Sequence, residues 1–165
     1  MAQLVLVRHA KAADGPVDRE RPLTPRGERD AQAIGAILAA HDIRADRVVV
    51  SPALRARQTW ARAGAETGAT VADERIYDNE VDALFAVIRD TPAAVRTLVL
   101  VGHNPSFAEL ADALDDGDGD DAVRRELHAG FAAGGVAIFE ISAAWADVGP
   151  GTATVRAYAV GRDDS

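Results

Sequence analysis

A chain of 165 residues that is 48% hydrophobic and 27% charged has the size and balance of one soluble globular domain. Such a domain buries roughly 70% of its unfolded surface without a disulfide or metal staple, and the absence of cysteine excludes disulfides, thiol nucleophiles and thiolate metal sites together. The net charge of -8 and the small aromatic content (two Trp, two Tyr, four Phe) argue against nucleic acid or an anionic membrane as partner.

The first apolar run, QLVLV (3–7), predicts a buried strand and is too short for a signal peptide or a membrane span, so a cytoplasmic protein, acting as a monomer, is expected. A polar loop follows through Arg21. Thr24-Pro25 has the form of an N-cap followed by proline at the first helical position, and Ala31, Ile34, Ile37 and Leu38 continue at helical spacing to about His41. RVVV (47–50) predicts a second strand. Ser51-Pro52 repeats the cap signal and opens a helix through about Glu66, ended by Gly68.

An extended stretch near 69–73 and a loop over 74–80 come next. A helix marked by Leu84, Val87 and Ile88 stops at Thr91-Pro92. TLVLV (97–101) is the clearest strand in the chain. Asn104-Pro105 is read as a third cap, with Phe107, Leu110, Ala111 and Leu114 as the buried face of its helix. The Asp-rich stretch DDGDGDD (115–121) fails as an EF-hand loop, which would need Gly at Asp121 and Glu at Leu127, and is read as a solvated loop. VAIFEI (136–141) and TVRAYAV (154–160), joined through Gly-Pro-Gly at 149–151, complete the strands, and one of these two is expected to be antiparallel. The alternation predicts a three-layer α/β/α single domain over residues 1–165, with a mixed and mainly parallel sheet.

Open parallel sheets bind ligands at the carboxyl ends of their strands. Here those ends carry Arg8-His9, then Ser51-Pro52 with Arg55 in the following helix, then Gly102-His103-Asn104. Two histidines and two arginines thus meet at one edge, with two expected helix N-termini beside them. Arginine presents a rigid fork of N–H groups to phosphate oxygens and stays charged at any working pH. A neutral imidazole can attack phosphorus, and phosphoryl transfer asks mainly for in-line positioning and charge neutralisation. No HExxH, P-loop or carboxylate cluster at ligand spacing is present, so neither metal nor cofactor is expected. His41 and His128 lack such context and are read as surface residues.

LVRHAKA (6–12) resembles the first-histidine signature of the histidine phosphatase superfamily, the phosphoglycerate mutase-like proteins. SPALRARQT (51–59) is similar to its second-arginine segment and LVGHNP (100–105) to its second-histidine segment. DRERPLTPRG (18–27) resembles the D-x-x-R-P-L-T-x-x-G stretch of the SixA-type phosphohistidine phosphatases. The resemblance implies that His9 is the phosphorylated nucleophile and that Arg8, Arg55, His103 and Asn104 bind the phosphoryl group. Asp18 and Arg21 match the loop motif, and two roles are open to them: lining the pocket mouth, or pairing with each other to brace the loop. Ala10 stands where the family's commoner form has Gly. The mutases' acid-donating Glu has no clean match; Glu74, Asp78 and Glu80 lie near that segment, with Glu80 the first candidate.

The resemblance implies a phosphatase acting on phosphohistidine of a protein substrate. Other readings remain beside it: a phosphatase of small phosphoesters, a mutase, an inert phosphate-binding regulatory module, or a metal-binding protein using His9 and His103. The adjacent arginines would repel a cation and weigh against the last.

Overall fold

The apolar runs become strands: β1 (Ala2–Arg8), β2 (Ala45–Val50), β3 (Thr67–Ala72), β4 (Thr97–Gly102), β5 (Gly135–Ile141) and β6 (Ala153–Val160). Among the described residues, six α-helices separate or flank them: α1 (Pro25–Ala40), α2 (Leu54–Ala63), α3 (Glu74–Tyr77), α4 (Val81–Arg89), α5 (Ser106–Leu114) and α6 (Asp121–Ala129). The computed structural model describes residues 1–64 and 67–162. Its six-stranded sheet has the order β3-β2-β4-β1-β5-β6. The first four strands in that order are mutually parallel; β5 pairs antiparallel with both β1 and β6, so β5 is the reversed strand.

Both faces of the sheet are covered, which is why its central strands carry unbroken apolar runs, residues 4–7 in β1 and 98–101 in β4. Leu4, Leu6, Leu98, Leu100, Ala137 and Phe139 point to a core shared with α4, α5 and the buried residues of α3 and α6. Val5, Val7, Val48, Val50, Val99 and Val101 point the other way, to Ile34 and Leu38 of α1 and Ala56 and Trp60 of α2. The result is the three-layer α/β/α arrangement. Leu98 and Leu100 are wholly buried, and trimming either to Ala would cost about 2–5 kcal/mol. Among the described residues no helix is long and apolar enough to cross a membrane.

Thr24 caps α1 through a hydrogen bond from the Gly27 N–H at 2.9 Å, with Pro25 in the first helical position. Gly27 has a separate reason to be glycine: a Cβ there would collide with the Lys11 carbonyl. That carbonyl also accepts from the Thr24 N–H at 2.9 Å, tying α1 to the segment just after His9.

Four expectations are corrected. Ser51 does not cap α2, whose flanking residue is Ala53; the helix ends with Gly64 in the left-handed conformation (φ 62°) rather than at Gly68, which belongs to β3. Glu66 lies outside the described residues. The loop over 74–80 contains α3, capped by the Asp73 side chain on Arg75 N–H. Finally, the Asp-rich stretch is not a simple solvated loop. Asp120 caps α6 through Ala122 and Val123 N–H, a helix the periodicity reading missed.

The side chain of Asp115 is only 3% exposed and accepts from Arg124 Nε at 2.9 Å and His128 Nε2 at 2.6 Å. His128 also reaches Asp112 on α5 through Nδ1 at 2.6 Å. An imidazole whose two nitrogens both face carboxylates is held in its charged form, and Asp115 first, then Asp112, raise its pKa above the usual value. This clamp fastens α6 to α5. Because the folded chain holds that proton more tightly than the unfolded one, the stabilisation is present below about pH 6.5 and is lost as pH rises through the raised value. The melting-temperature gap between wild type and His128→Ala should therefore be wide at pH 6 and narrow at pH 9; a gap that ignores pH would refute the charged clamp.

Candidate active site

Pairing of β1 with β4 places Arg8 opposite Gly102, and the His9 N–H then donates to the Gly102 carbonyl at 3.0 Å. His9 and His103 follow directly, with ring centroids 5.2 Å apart and planes tilted by 60°. Together with Arg8, Asp18, Arg21, Arg55, Tyr77, Asn79 and Asn104 they line an open pocket of about 440 Å³ at the sheet's carboxyl edge.

His9 Nδ1 lies 2.7 Å from the Ala10 carbonyl oxygen. A carbonyl only accepts, so Nδ1 carries the proton and Nε2 keeps the lone pair. Ala10 is itself anchored, its N–H donating to buried Thr59 Oγ1 of α2 at 3.1 Å, while that hydroxyl donates to the Arg55 carbonyl at 2.7 Å. The residues SPALRARQT thus orient the first histidine as well as supplying the arginine. Burial first, and then the Arg55, Arg8 and Arg21 charges, depress the His9 pKa to about 4. For His103, burial, then His9 and Arg55, lower it to about 3. Both rings are neutral at neutral pH.

Arg8 donates through Nη1 to the Phe131 carbonyl at 2.8 Å, while its buried Nε has no partner among the described residues. The same carbonyl accepts from Asn104 Nδ2 at 2.9 Å, so the residue just past α6 braces two side chains of the site. Arg55 is 7% exposed. It donates through Nη1 to the Asp18 carbonyl at 2.8 Å and through Nη2 to the Asp18 carboxylate at 3.1 Å. Asp18 also accepts from Tyr77 at 2.5 Å and Arg21 at 3.1 Å. The Tyr77 hydroxyl above all, then Arg21 and Arg55, hold its carboxyl far below the usual range.

The structure brings together Arg8, His9, Asp18, Arg21, Arg55, His103 and Asn104. It does not bring Glu80, which is exposed ahead of α4, nor exposed Asp78. Glu74 is paired on the surface with Arg19. The expected free N–H groups at the start of α5 are also already used. That helix begins at Ser106, not at Asn104; Ser106, Phe107 and Ala108 donate to Asn79 Oδ1, the His103 carbonyl and Asn104 Oδ1. Tyr77, Asn79 and Ser51 escaped sequence reasoning as site residues. Asn79 (φ 59°) could have been flagged, because Asn is among the few residues that tolerate the left-handed turn it makes between α3 and α4.

The family profile described as histidine phosphatase superfamily (branch 1) matches residues 4–79. An uncharacterised Mycobacterium tuberculosis protein is 39% identical over 159 residues, 94% of this chain and 100% of that one. Phosphohistidine phosphatase SixA of Escherichia coli is 30% identical over 122 residues, covering 70% of this chain and 76% of SixA. A solved structure from Nakamurella multipartitia, described as a candidate phosphohistidine phosphatase SixA, superposes with a TM-score of 0.87 at 34% identity, covering 97% of this chain and 96% of that one. The chain belongs to the histidine phosphatase superfamily.

Depressed histidine pKa values have a thermodynamic consequence. Between about pH 4 and 6.5 the unfolded chain binds protons at His9 and His103 that the folded one refuses, so their contribution disfavours folding progressively as pH falls. NMR titration should find both rings neutral down to about pH 5; a midpoint near 6.5 for either would contradict the burial described here.

Proposed function

We propose that the 165 residues form one histidine phosphatase domain that hydrolyses phosphohistidine on a protein, with His9 as nucleophile, Arg8 and Arg55 as phosphoryl-binding cations and His103 as a further donor. The observation that carries this reading is the setting of His9: a neutral ring, its Nδ1 proton held by Ala10, in a pocket shared with the guanidiniums of Arg8, Arg21 and Arg55. In the first step Nε2 of His9 forms a bond to phosphorus while the substrate's P–N bond breaks, its electron pair returning to the substrate imidazole. In the second, water bonds to phosphorus, the P–Nε2 bond breaks, and phosphate leaves with the water's proton passing to solvent. The guanidiniums supply the positive charge for both steps, and no metal is invoked.

Choice of substrate follows from the missing acid. Asp18 is the one carboxylate among the described residues lining the pocket, and three donors keep it ionised. An ionised carboxylate cannot protonate a leaving alkoxide. An imidazole protonated at its other nitrogen needs no such help, because it departs as a neutral ring. The open pocket and the SixA relatives support a macromolecular substrate. The same reading has the protein acting in the cytoplasm as a monomer, without nucleic acid or membrane partner, in keeping with its net charge of -8.

A panel of phosphohistidine protein, phosphoserine peptide and sugar phosphates, ranked by kcat/KM, should put phosphohistidine first. His9→Ala should abolish turnover, and rapid quenching of wild type should trap an acid-labile, base-stable phosphate on His9. Near wild-type rates in the mutant would remove the covalent route.

Arg55→Ala should lose about 10²–10³ in kcat, as for removal of one preorganised donor. Arg57→Ala should stay close to wild type, since Arg57 is exposed and donates to the Pro52 carbonyl at 3.0 Å. Glu80→Ala should change neither phosphohistidine nor alkyl phosphate hydrolysis. If loss of Glu74, Asp78 or Glu80 stopped both, the small-phosphoester reading would take over.

A further inference from the structure

A neutral imidazole has one N–H, so a second histidine can donate to a phosphoryl oxygen only if that proton sits on the nitrogen facing it. Burial, with His9 and Arg55, depresses the His103 pKa to about 3 and excludes the doubly protonated ring that would make the question moot. Something must then choose the tautomer. Ser51 is wholly buried, and its Oγ lies 2.7 Å from His103 Nε2. The same oxygen accepts from the Ala53 N–H at 3.2 Å.

A serine hydroxyl has one proton to give and lone pairs to receive with. For the Ser51 proton, the acceptor among the described residues is His103 Nε2. Were Nε2 protonated instead, Ser51 would hold a hydrogen with nowhere to go. His103 Nδ1 is buried without a partner among the described residues, so it is unmatched in either tautomer, as a bare lone pair or as an N–H, and does not itself choose between them. Buried polar groups left unmatched cost more than a hydrogen bond returns. One tautomer leaves a single group unmatched where the other leaves two: Ser51 donates to Nε2, and the ring's proton is on Nδ1, where it awaits an acceptor. Because the two nitrogens of an imidazole point in divergent directions, Nδ1 faces away from Ser51, and the ring lines the pocket beside His9.

We propose that Ser51 is a positioning residue that holds His103 as its Nδ1–H tautomer, so that the uncharged second imidazole presents a donor to the phosphoryl group on its way to and from His9. The inference rests on the phosphoryl-transfer reading of the pocket and adds to it a residue that touches neither substrate nor reacting atoms. Both histidines carry their proton on Nδ1, yet they play opposite parts. The Ala10 carbonyl turns the proton of His9 inward, leaving a lone pair for attack. The Ser51 hydroxyl occupies the lone pair of His103, leaving a proton for donation.

Nitrogen-15 spectra of the histidine rings in the unliganded wild-type protein at pH 7 test this without any variant. His103 should show a pyrrole-type Nδ1 and a pyridine-type Nε2. A protonated Nε2 with a bare Nδ1 would overturn the proposal. In Ser51→Ala the ring should shift toward the Nε2–H form, with kcat falling about 10–100-fold, the range seen when a partner orienting a site ligand is removed, and KM little changed. Ser51→Thr, which keeps the hydroxyl, should restore the tautomer and most of kcat. An alanine variant with unchanged tautomer and kcat would also refute it. Failure of the wild type to turn over any phosphorylated substrate would sink the phosphatase reading instead, while the unliganded spectra still decide the tautomer.

Discussion

The register of β1 on β4 sets the geometry of the site. Six consecutive pairs, from Gln3 on Thr97 to Arg8 on Gly102, deliver the two strands to the sheet edge at the same height. Residues following each strand must then meet, and those residues are His9 and His103. A slip of one residue would turn every side chain of β1 to the opposite face and bury His9 away from its partner. The sorting of side chains opposes that slip: Leu4, Leu6, Leu98 and Leu100 fill one core and Val5, Val7, Val99 and Val101 the other, and exchanging them would overpack one and leave voids in the other. Gly102 contributes a second constraint, because a Cβ there would strike Ile76 Cγ2 at 2.6 Å and Phe107 Cε1 at 2.8 Å. Ile76 belongs to α3, and the close approach that glycine permits seats that helix so that Tyr77 meets the His103 ring edge-on at 5.9 Å. Backbone packing therefore places three rings before any polar contact is considered.

Charge is the second constraint. Arg55 is nearly buried, with a side chain 9% exposed, whereas that of Asp18 is 50% exposed. Removing one member of a fully buried ion pair costs about 3–5 kcal/mol, and the half-exposed partner brings the figure here well below that. Asp18 nevertheless contributes beyond simple attraction. Its main-chain carbonyl and carboxylate take two arms of the same guanidinium, and its carboxylate ties in Tyr77 and Arg21. The loop motif that begins at Asp18 and ends at Gly27 thus fixes Arg55 from one side and packs on the residues after His9 from the other. Its role is to hold the cationic wall of the pocket, which accounts for a carboxylate in a site that binds an anion.

The sheet, its two apolar faces and the meeting of Arg8, His9, Arg55 and His103 were legible because each depends on local pattern plus one topological rule. Strand runs are short and apolar, and the carboxyl-edge rule then gathers whatever follows them. What was not legible depends on contacts distant in sequence. Ser51 looks like a helix cap because Ser-Pro is a cap signal, yet its hydroxyl is claimed by His103, 52 residues away, and α2 begins three residues later. The segment α6 hid because its apolar positions are sparse, with Leu127 its one buried residue, and because a run of aspartates reads as solvent-facing. The buried carboxylate of Asp115 is matched by Arg124 and His128, which the helix brings back to it. Glu80 does not line the pocket because α3 and the turn after it, unseen in the sequence, carry Tyr77 and Asn79 to the rim and leave Glu80 outside.

The partners that set proton positions in this site share a property. His9 is oriented by a backbone carbonyl and His103 by a serine hydroxyl, and neither group gains or loses a proton anywhere near neutral pH. The arginines are equally indifferent. Enzymes that rely on a general acid or base need a group poised near the working pH, and they inherit its titration in their rate. A pocket assembled from neutral imidazoles, permanent cations and non-titrating partners keeps one arrangement of protons over the whole neutral range. That arrangement suits a reaction whose two leaving groups are both imidazoles, one on the substrate and one on His9. Each departs neutral if the proton on its far nitrogen is retained, and on His9 the Ala10 carbonyl provides that retention. The site then has no need of a carboxylic acid, and the ionised Asp18 is free to serve as a brace for Arg55.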